Sequence, residues 1–269
     1  MGSIVGVFAT SHILFSPKGA EDRAERAFQG IREIGRRVQA ARPDAIVVIS
    51  SEHMFNINLS LQPPFTVGVA DSYVPFGEMG VPKTPFRGHR ALAEAFVEVA
   101  AERGFDLAKM EELRPDHGIA LPLVFANPGG QTPVVPIIVN VNMTPLPKPR
   151  RCLALGRALK ETIERHCPAG ERVVVMGTGG LSHWVNIPGM GTVAVDFDRE
   201  CIQKIVTGRV EDLCALTSDE IVAKSGNGGM ELVNWIMAAG TVPGRTGEQI
   251  YYEPIPEWLT GVGGIAMSV

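Results

Sequence analysis

The sequence has few cysteines, no strong charge of either sign and no long apolar run, and each lack argues against a class of protein. The four cysteines, Cys152, Cys167, Cys201 and Cys214, form no C-x-x-C pair. That argues against a structural zinc site and a disulfide framework, and it reads as four reduced, mostly buried thiols. Charged residues make up 20% of the chain and the formal net charge is -4. Such a balance offers no basic face to nucleic acid or to an anionic membrane surface. No apolar run is long enough to span a bilayer. The opening stretch MGSIVGVFATSHILF has no basic leader, so it reads as a first strand, not a signal peptide, and the chain reads as cytoplasmic. The glycine turn GTGGLSHW (177–184) carries neither a phosphate-loop lysine nor the full dinucleotide pattern. G-x-S-x-G is absent, so there is no nucleophile elbow, and Ser182 beside His183 is not a triad by adjacency.

What is present is an apolar α/β pattern. Hydrophobic residues are 45% of the 269 positions, enough to bury a large core. IVGVFAT (4–10) is a β-branched run that ends at Ser11-His12. Between Glu21 and Ala41, Ala24, Ala27, Phe28, Ile31, Ile34 and Val38 fall on one helical stripe. DAIVVISS (44–51) is a continuous apolar run of the kind found in strands covered on both faces, and it ends at Glu52-His53. Further strands are expected at TVGVA, at 133–141 and at 172–180, and further helices at 88–103, up to His166, and at 194–206, 210–224 and 228–240. A loop is expected to carry Asp116-His117-Gly118. With no repeat or linker, the simplest organisation is one α/β domain over residues 1–269, a central mostly parallel or mixed sheet flanked by helices.

Six histidines are available. His89 and His166 fall on predicted helices among charged neighbours and read as surface residues. His12, His53, His117 and His183 fall at strand ends or in loops, where open α/β sheets place their chemistry. Such a group suits a metal site or acid–base work. Two imidazoles and one carboxylate with open positions suit non-haem iron(II); zinc accepts the same ligand types. For the carboxylate, Glu231 sits after a glycine turn at a helix start, a favourable place for negative charge. Glu52 is the rival, but it adjoins His53 in extended chain, where successive side chains point apart.

These stretches resemble the class III extradiol ring-cleavage dioxygenases, the protocatechuate 4,5-dioxygenase β-subunit and 2,3-dihydroxyphenylpropionate dioxygenase type. The likeness rests on Ser11-His12, Glu52-His53, Asp116-His117-Gly118 with Pro122, Gly177 to His183, Glu231-Leu232 before Trp235, and the tail YYEPIPEWLTGVGG, all in the same order. The resemblance implies iron(II) held by His12, His53 and Glu231. It implies His183 and His117 as acid–base residues facing the substrate, with Trp184 beside them. It further implies a small aromatic diol and dioxygen as substrates, a ring-opened semialdehyde-type product, and a role in aromatic hydrocarbon catabolism. Assembly as a homo-oligomer is expected, with a separate small α-type subunit as the other arrangement. Two positions depart from the family pattern: Glu52 replaces Asp, and Trp184 follows the histidine where Gln is usual. A zinc-dependent ring-cleaving or hydrolytic enzyme, or a non-catalytic relative on the same fold, are the competing readings. A carboxylated substrate would require a lysine or arginine in the pocket.

Overall fold

The long apolar runs become the inner strands of one sheet because only a strand with both faces covered can be apolar at every position. In the computed structural model, which describes residues 1–269, these strands are β1 (Ser3–Thr10), β2 (Ala45–Ser51), β7 (Val134–Val139) and β8 (Arg172–Thr178). Shorter strands are β3 (Phe65–Gly68), β4 (Ser72–Tyr73), β5 (Phe86–Arg87) and β6 (Ala108–Met110), and the chain closes with β9 (Gly247–Ile255) and β10 (Thr260–Met267). The helices are α1 (Glu21–Ala40), α2 (Arg90–Glu102), α3 (His117–Ala126), α4 (Pro149–His166), α5 (Val195–Val206), α6 (Ser218–Ser225) and α7 (Leu232–Ala239).

Eight strands form the main sheet in the order β6-β3-β7-β2-β8-β1-β10-β9. The four at its centre, β7, β2, β8 and β1, run parallel. β3 and β10 join them antiparallel on either side. Along β2 the side chains alternate between two cores: Ala45, Val47 and Ile49 pack in one, Ile46 and Val48 in the other. The first core takes in Leu92 of α2, Leu153 of α4, Cys201 of α5 and Trp235 of α7. The second takes in Ala24 of α1 and Ile119 of α3. The result is a three-layer, single-domain α/β fold with a mixed sheet, as the pattern of runs and stripes predicts.

The chain order matters for the site. β8 lies between β1 and β2, in hydrogen-bonded register with both. The carboxyl ends of β1, β8 and β2 are therefore neighbours, and the segments leaving them carry His12, His183 and His53.

Four expectations change. The segment 210–224 is not one helix: a 3-10 turn (Val210–Ala215) stops, and α6 restarts behind Thr217, which forms a reciprocal capping box with Glu220. The segment 228–240 likewise divides into a 3-10 turn (Gly228–Glu231) and α7. His117 is the first residue of α3, not a loop residue, because the Glu78 carboxylate accepts its backbone N–H and completes the helix end from 39 positions away. His89 is not a solvated side chain. It caps α2 by accepting the Leu92 N–H at Nδ1, and its Nε2 lies 2.7 Å from Glu171 Oε1. No helix is long and apolar enough to cross a membrane.

Candidate active site

Each element delivers one group to the same point. His12 leaves β1 after Ser11, whose backbone N–H and hydroxyl are both held by Gly263 of β10. His53 leaves β2 two residues after Ser51. Glu231 closes the 3-10 turn that begins α7. Glu231 Oε1 lies 3.3 Å from His12 Nε2 and 3.2 Å from His53 Nε2. Adjacent ligands on one small cation, each about 2.1 Å from it, stand about 3 Å apart, so this spacing fits a shared ion. The carboxylate is aimed by the Ser51 hydroxyl on Oε1 and by the Gly180 N–H, 2.7 Å from Oε2.

His12 is 1% exposed, and neither of its ring nitrogens has a hydrogen-bond partner, since its contact with Glu231 lacks hydrogen-bond geometry. A buried imidazole left with a free nitrogen is costly unless something else binds it, and a metal ion satisfies it. On His53, Nδ1 lies 2.8 Å from Asp116 Oδ2. The carboxylate accepts a hydrogen bond from Nδ1, which leaves Nε2 available to a metal ion. His117 is close as well. Its ring centroid is 4.2 Å from that of His53 and 5.3 Å from that of His12. Donor atoms of His12, His53 and His117 fall within 4.8 Å of one another. Four groups thus meet, of which three imidazoles or two imidazoles with Glu231 can hold a metal ion.

The electrostatics point the same way. Burial pulls the His53 imidazole down, but Asp116 and Glu231 outweigh it and lift it to about 10. Burial pulls Glu231 up, yet the imidazoles of His12 and His53 hold it well below its ordinary value. A pocket that stabilises a carboxylate and draws positive charge toward it is suited to a cation. His117 moves the opposite way: burial, then the charges on His53 and His12, lower it to about 3.

His183 follows the glycine turn after β8. Its Nδ1 donates to the Leu181 carbonyl at 3.0 Å, so Nε2 is the free acceptor, 3.9 Å from Glu231 Oε2. Burial lowers its pKa below the ordinary imidazole value, against the pull of Glu231. Its backbone is held on both sides, donating to Ser225 O and accepting from Gly228 N. The Nε2 end of the ring packs against Gly228, where a Cβ would stand 2.0 Å from His183 Nε2. Gly228→Ala is therefore expected to push the ring aside and to lower kcat about a hundredfold, since a displacement near 1 Å costs that much. Metal content should stay at the wild-type level; an unchanged kcat would show that the position of this ring is not used.

Behind His183 lies Asp198 of α5, 2% exposed. It accepts from the Ser182 N–H at 2.9 Å, from the Ser182 hydroxyl at 2.8 Å and from the Tyr252 hydroxyl at 2.8 Å. Burial pushes its carboxyl up to about 6 despite those bonds, from an ordinary value of 3.8. A carboxyl raised in the folded state contributes stability while it is protonated. That contribution is full below about pH 4 and is lost as pH rises through about 6, a change on the order of 3 kcal/mol. Compared at equal metal content, the wild type should lose about that much more than Asp198→Asn between pH 4 and pH 8 in denaturant titrations. Parallel profiles would show that Asp198 does not titrate in this range.

A cavity of about 360 Å³ opens over this floor, with His53, His183 and Glu231 in its walls. A larger cavity of about 520 Å³ lies at the start of α4, lined by Lys148, Arg150 and Arg151 among others, and no histidine faces it. Trp184 does not line the site cavity. It is half-buried against Gly189 and Gly226, and its neighbours Val185 and Asn186 face the opening instead. Glu52 does not join the metal-facing group either. Its Oε1 accepts from the Phe55 and Asn56 N–H groups, and its Oε2 is buried without a partner.

Sequence reasoning did not assign roles to Ser51, Gly180, Asp116, Glu78 and Asp198. Asp116 had a signal, its place next to His117 in the Asp116-His117-Gly118 motif. Glu78 and Asp198 had none, because they reach the site only through tertiary contacts.

The chain is similar to known proteins over most of its length. The 2,3-dihydroxyphenylpropionate/2,3-dihydroxicinnamic acid 1,2-dioxygenase of Photorhabdus laumondii is 27% identical, over 93% of this chain and 91% of that protein. The enzyme of the same name from Klebsiella pneumoniae is also 27% identical, over 88% of this chain and 90% of that protein. The crystal structure of an uncharacterized Escherichia coli K12 protein superposes with a TM-score of 0.63 and 16% identity, covering 98% of this chain and all of that one, which bears on the fold alone. Residues 7–263 match the family described as the catalytic LigB subunit of aromatic ring-opening dioxygenase. The chain belongs to that family and is, on this ground, an extradiol ring-cleavage dioxygenase.

Proposed function

We propose that the protein holds one iron(II) between His12, His53 and Glu231 and cleaves the ring of a catechol-type diol beside its two hydroxyls. The observation that carries this reading is the position of Glu231 Oε1, within 3.3 Å of both His12 Nε2 and His53 Nε2, on the floor of the cavity. Glu231 is preferred to His117 as the third ligand because its carboxylate is already fixed by Ser51 and Gly180, whereas the His117 Nδ1 lies 3.3 Å from Glu78 Oε1. Iron is preferred to zinc because two histidines and one carboxylate with open positions suit iron(II), and a dioxygenase needs an ion able to exchange electrons.

When bound, iron(II) supplies open coordination positions for the diol and dioxygen and a path for electrons between them. The rest falls to the protein. His183 presents an unprotonated Nε2 to the cavity and, kept neutral by burial, accepts a proton from a substrate hydroxyl. The proton is then available to the departing oxygen as the ring opens. His117, also neutral, has its ring 4.2 Å from that of His53 and offers a second hydrogen-bonding group. Asp116 keeps the His53 ring in the tautomer that leaves Nε2 free. The product is a ring-opened semialdehyde, and both oxygen atoms are retained. The family resemblance also carries the expectation of a cytoplasmic homo-oligomer.

Protein purified without air and reloaded with iron(II) should consume one dioxygen per diol and give a coloured ring-opened product, while the zinc-loaded form should not. Equal turnover with zinc, or no oxygen uptake with any catechol, would remove the proposal.

A further inference from the structure

We infer that the substituent on the substrate ring is uncharged, so that the enzyme favours catechols with a neutral side arm over those with a carboxylate. This rests on the reading of the site given above. The cavity over His53 and His183 is walled by two carboxylic side chains, Glu52 and Glu231, by asparagines, and by apolar groups such as Met54 and Val185. No lysine or arginine lines it. The basic residues at the start of α4 face the separate, larger cavity. Arg114 is occupied elsewhere: its guanidinium stacks 4.3 Å over the Phe76 ring and reaches toward the Val74 and Pro75 carbonyls.

The asparagines do not supply the missing charge. Asn227 exchanges both amide hydrogen bonds with the backbone of Val185, and Asn142 donates to the Glu52 carbonyl at 2.6 Å. Asn186 brings to the wall a neutral amide, a group able to meet a hydroxyl, an amide or an ester. With the iron(II) of that reading taken up by the diol, a carboxylate arm brought into this space would lose water without gaining a lysine or arginine, and it would approach Glu52, whose buried Oε2 already lacks a partner. A neutral arm meets Met54 and Val185 at no such cost. The relatives named above are 2,3-dihydroxyphenylpropionate enzymes, and that substrate is carboxylated. The inference therefore separates this chain from them.

The test uses a matched pair, 3-(2,3-dihydroxyphenyl)propionate and its primary amide, with unsubstituted catechol as a reference, on the iron-loaded full chain. The amide should have at least a tenfold higher kcat/KM, carried by KM. Anaerobic calorimetric titration should rank the dissociation constants in the same order. Val185→Arg, which places a cation on the cavity wall, should improve the acid alone and narrow the ratio at least fivefold. Equal or better use of the acid by the wild type overturns the inference, as does cleavage of catechol with neither substituted diol accepted. If none of the three is cleaved, the reading of the site itself fails and the inference goes with it.

Discussion

Glu231→Ala is expected to leave the protein folded but without iron after anaerobic loading, and with no measurable ring cleavage. The carboxylate lies within 3.3 Å of both His12 Nε2 and His53 Nε2, and it has two donors, Ser51 and Gly180, devoted to its orientation. Removing it leaves two imidazoles, which bind a divalent ion far less tightly than three ligands do. The companion variant decides between the two groupings that the geometry allows. His117→Ala should keep iron at the wild-type ratio, measured by elemental analysis after dialysis, because its imidazole stands on the Glu78 side of the cluster. Iron retained in Glu231→Ala and lost in His117→Ala would make the centre a three-histidine site and would reverse the assignment.

The second large effect is expected for His183→Ala. This variant should bind iron normally and bind diol with little change, yet lose about 10²- to 10⁴-fold in kcat, the range attributed to a positioned acid–base group. Its Nε2 is 3.9 Å from Glu231 Oε2, too far to share the Glu231 contacts made by His12 and His53, and its other nitrogen is committed to the Leu181 carbonyl. Stopped-flow measurement with saturating diol separates binding from the chemical step. Loss of iron in His183→Ala would move this residue into the ligand set; full turnover would remove it from proton transfer.

Local pattern carried much of this reading. The run DAIVVISS predicts a strand covered on both faces, and β2 is that strand, feeding two cores in alternation. The stripe from Ala24 to Val38 predicts the buried face of α1, where Ala24, Ala27, Ile31, Ile34 and Val38 are all buried. The histidines at strand ends were visible for the same reason, since an apolar run that stops at a histidine marks both the strand and its functional end. The closing hairpin was not visible. β10 contains Gly261, Gly263 and Gly264, which weaken any strand signal, yet Gly264 is required because a Cβ there would stand 2.4 Å from the Tyr251 ring. Trp184 looked like a pocket residue by adjacency to His183, but successive residues diverge at a turn, and its ring packs against Gly189 and Gly226.

By itself the sequence determined the element types, the covered strands, and which imidazoles and carboxylates were available for a metal, because those follow from side-chain period and residue chemistry over a few positions. Only the tertiary structure decided that β8 inserts between β1 and β2, that the turn before α7 brings Glu231 against two histidines from the other end of the chain, and that Asp116, Glu78 and Asp198 hold the histidine-bearing segments in place. Strand order and buried carboxylate contacts are set by packing between segments separated by tens to hundreds of residues. Local periodicity fixes how each segment folds, but it carries no term for which distant segment lies beside it.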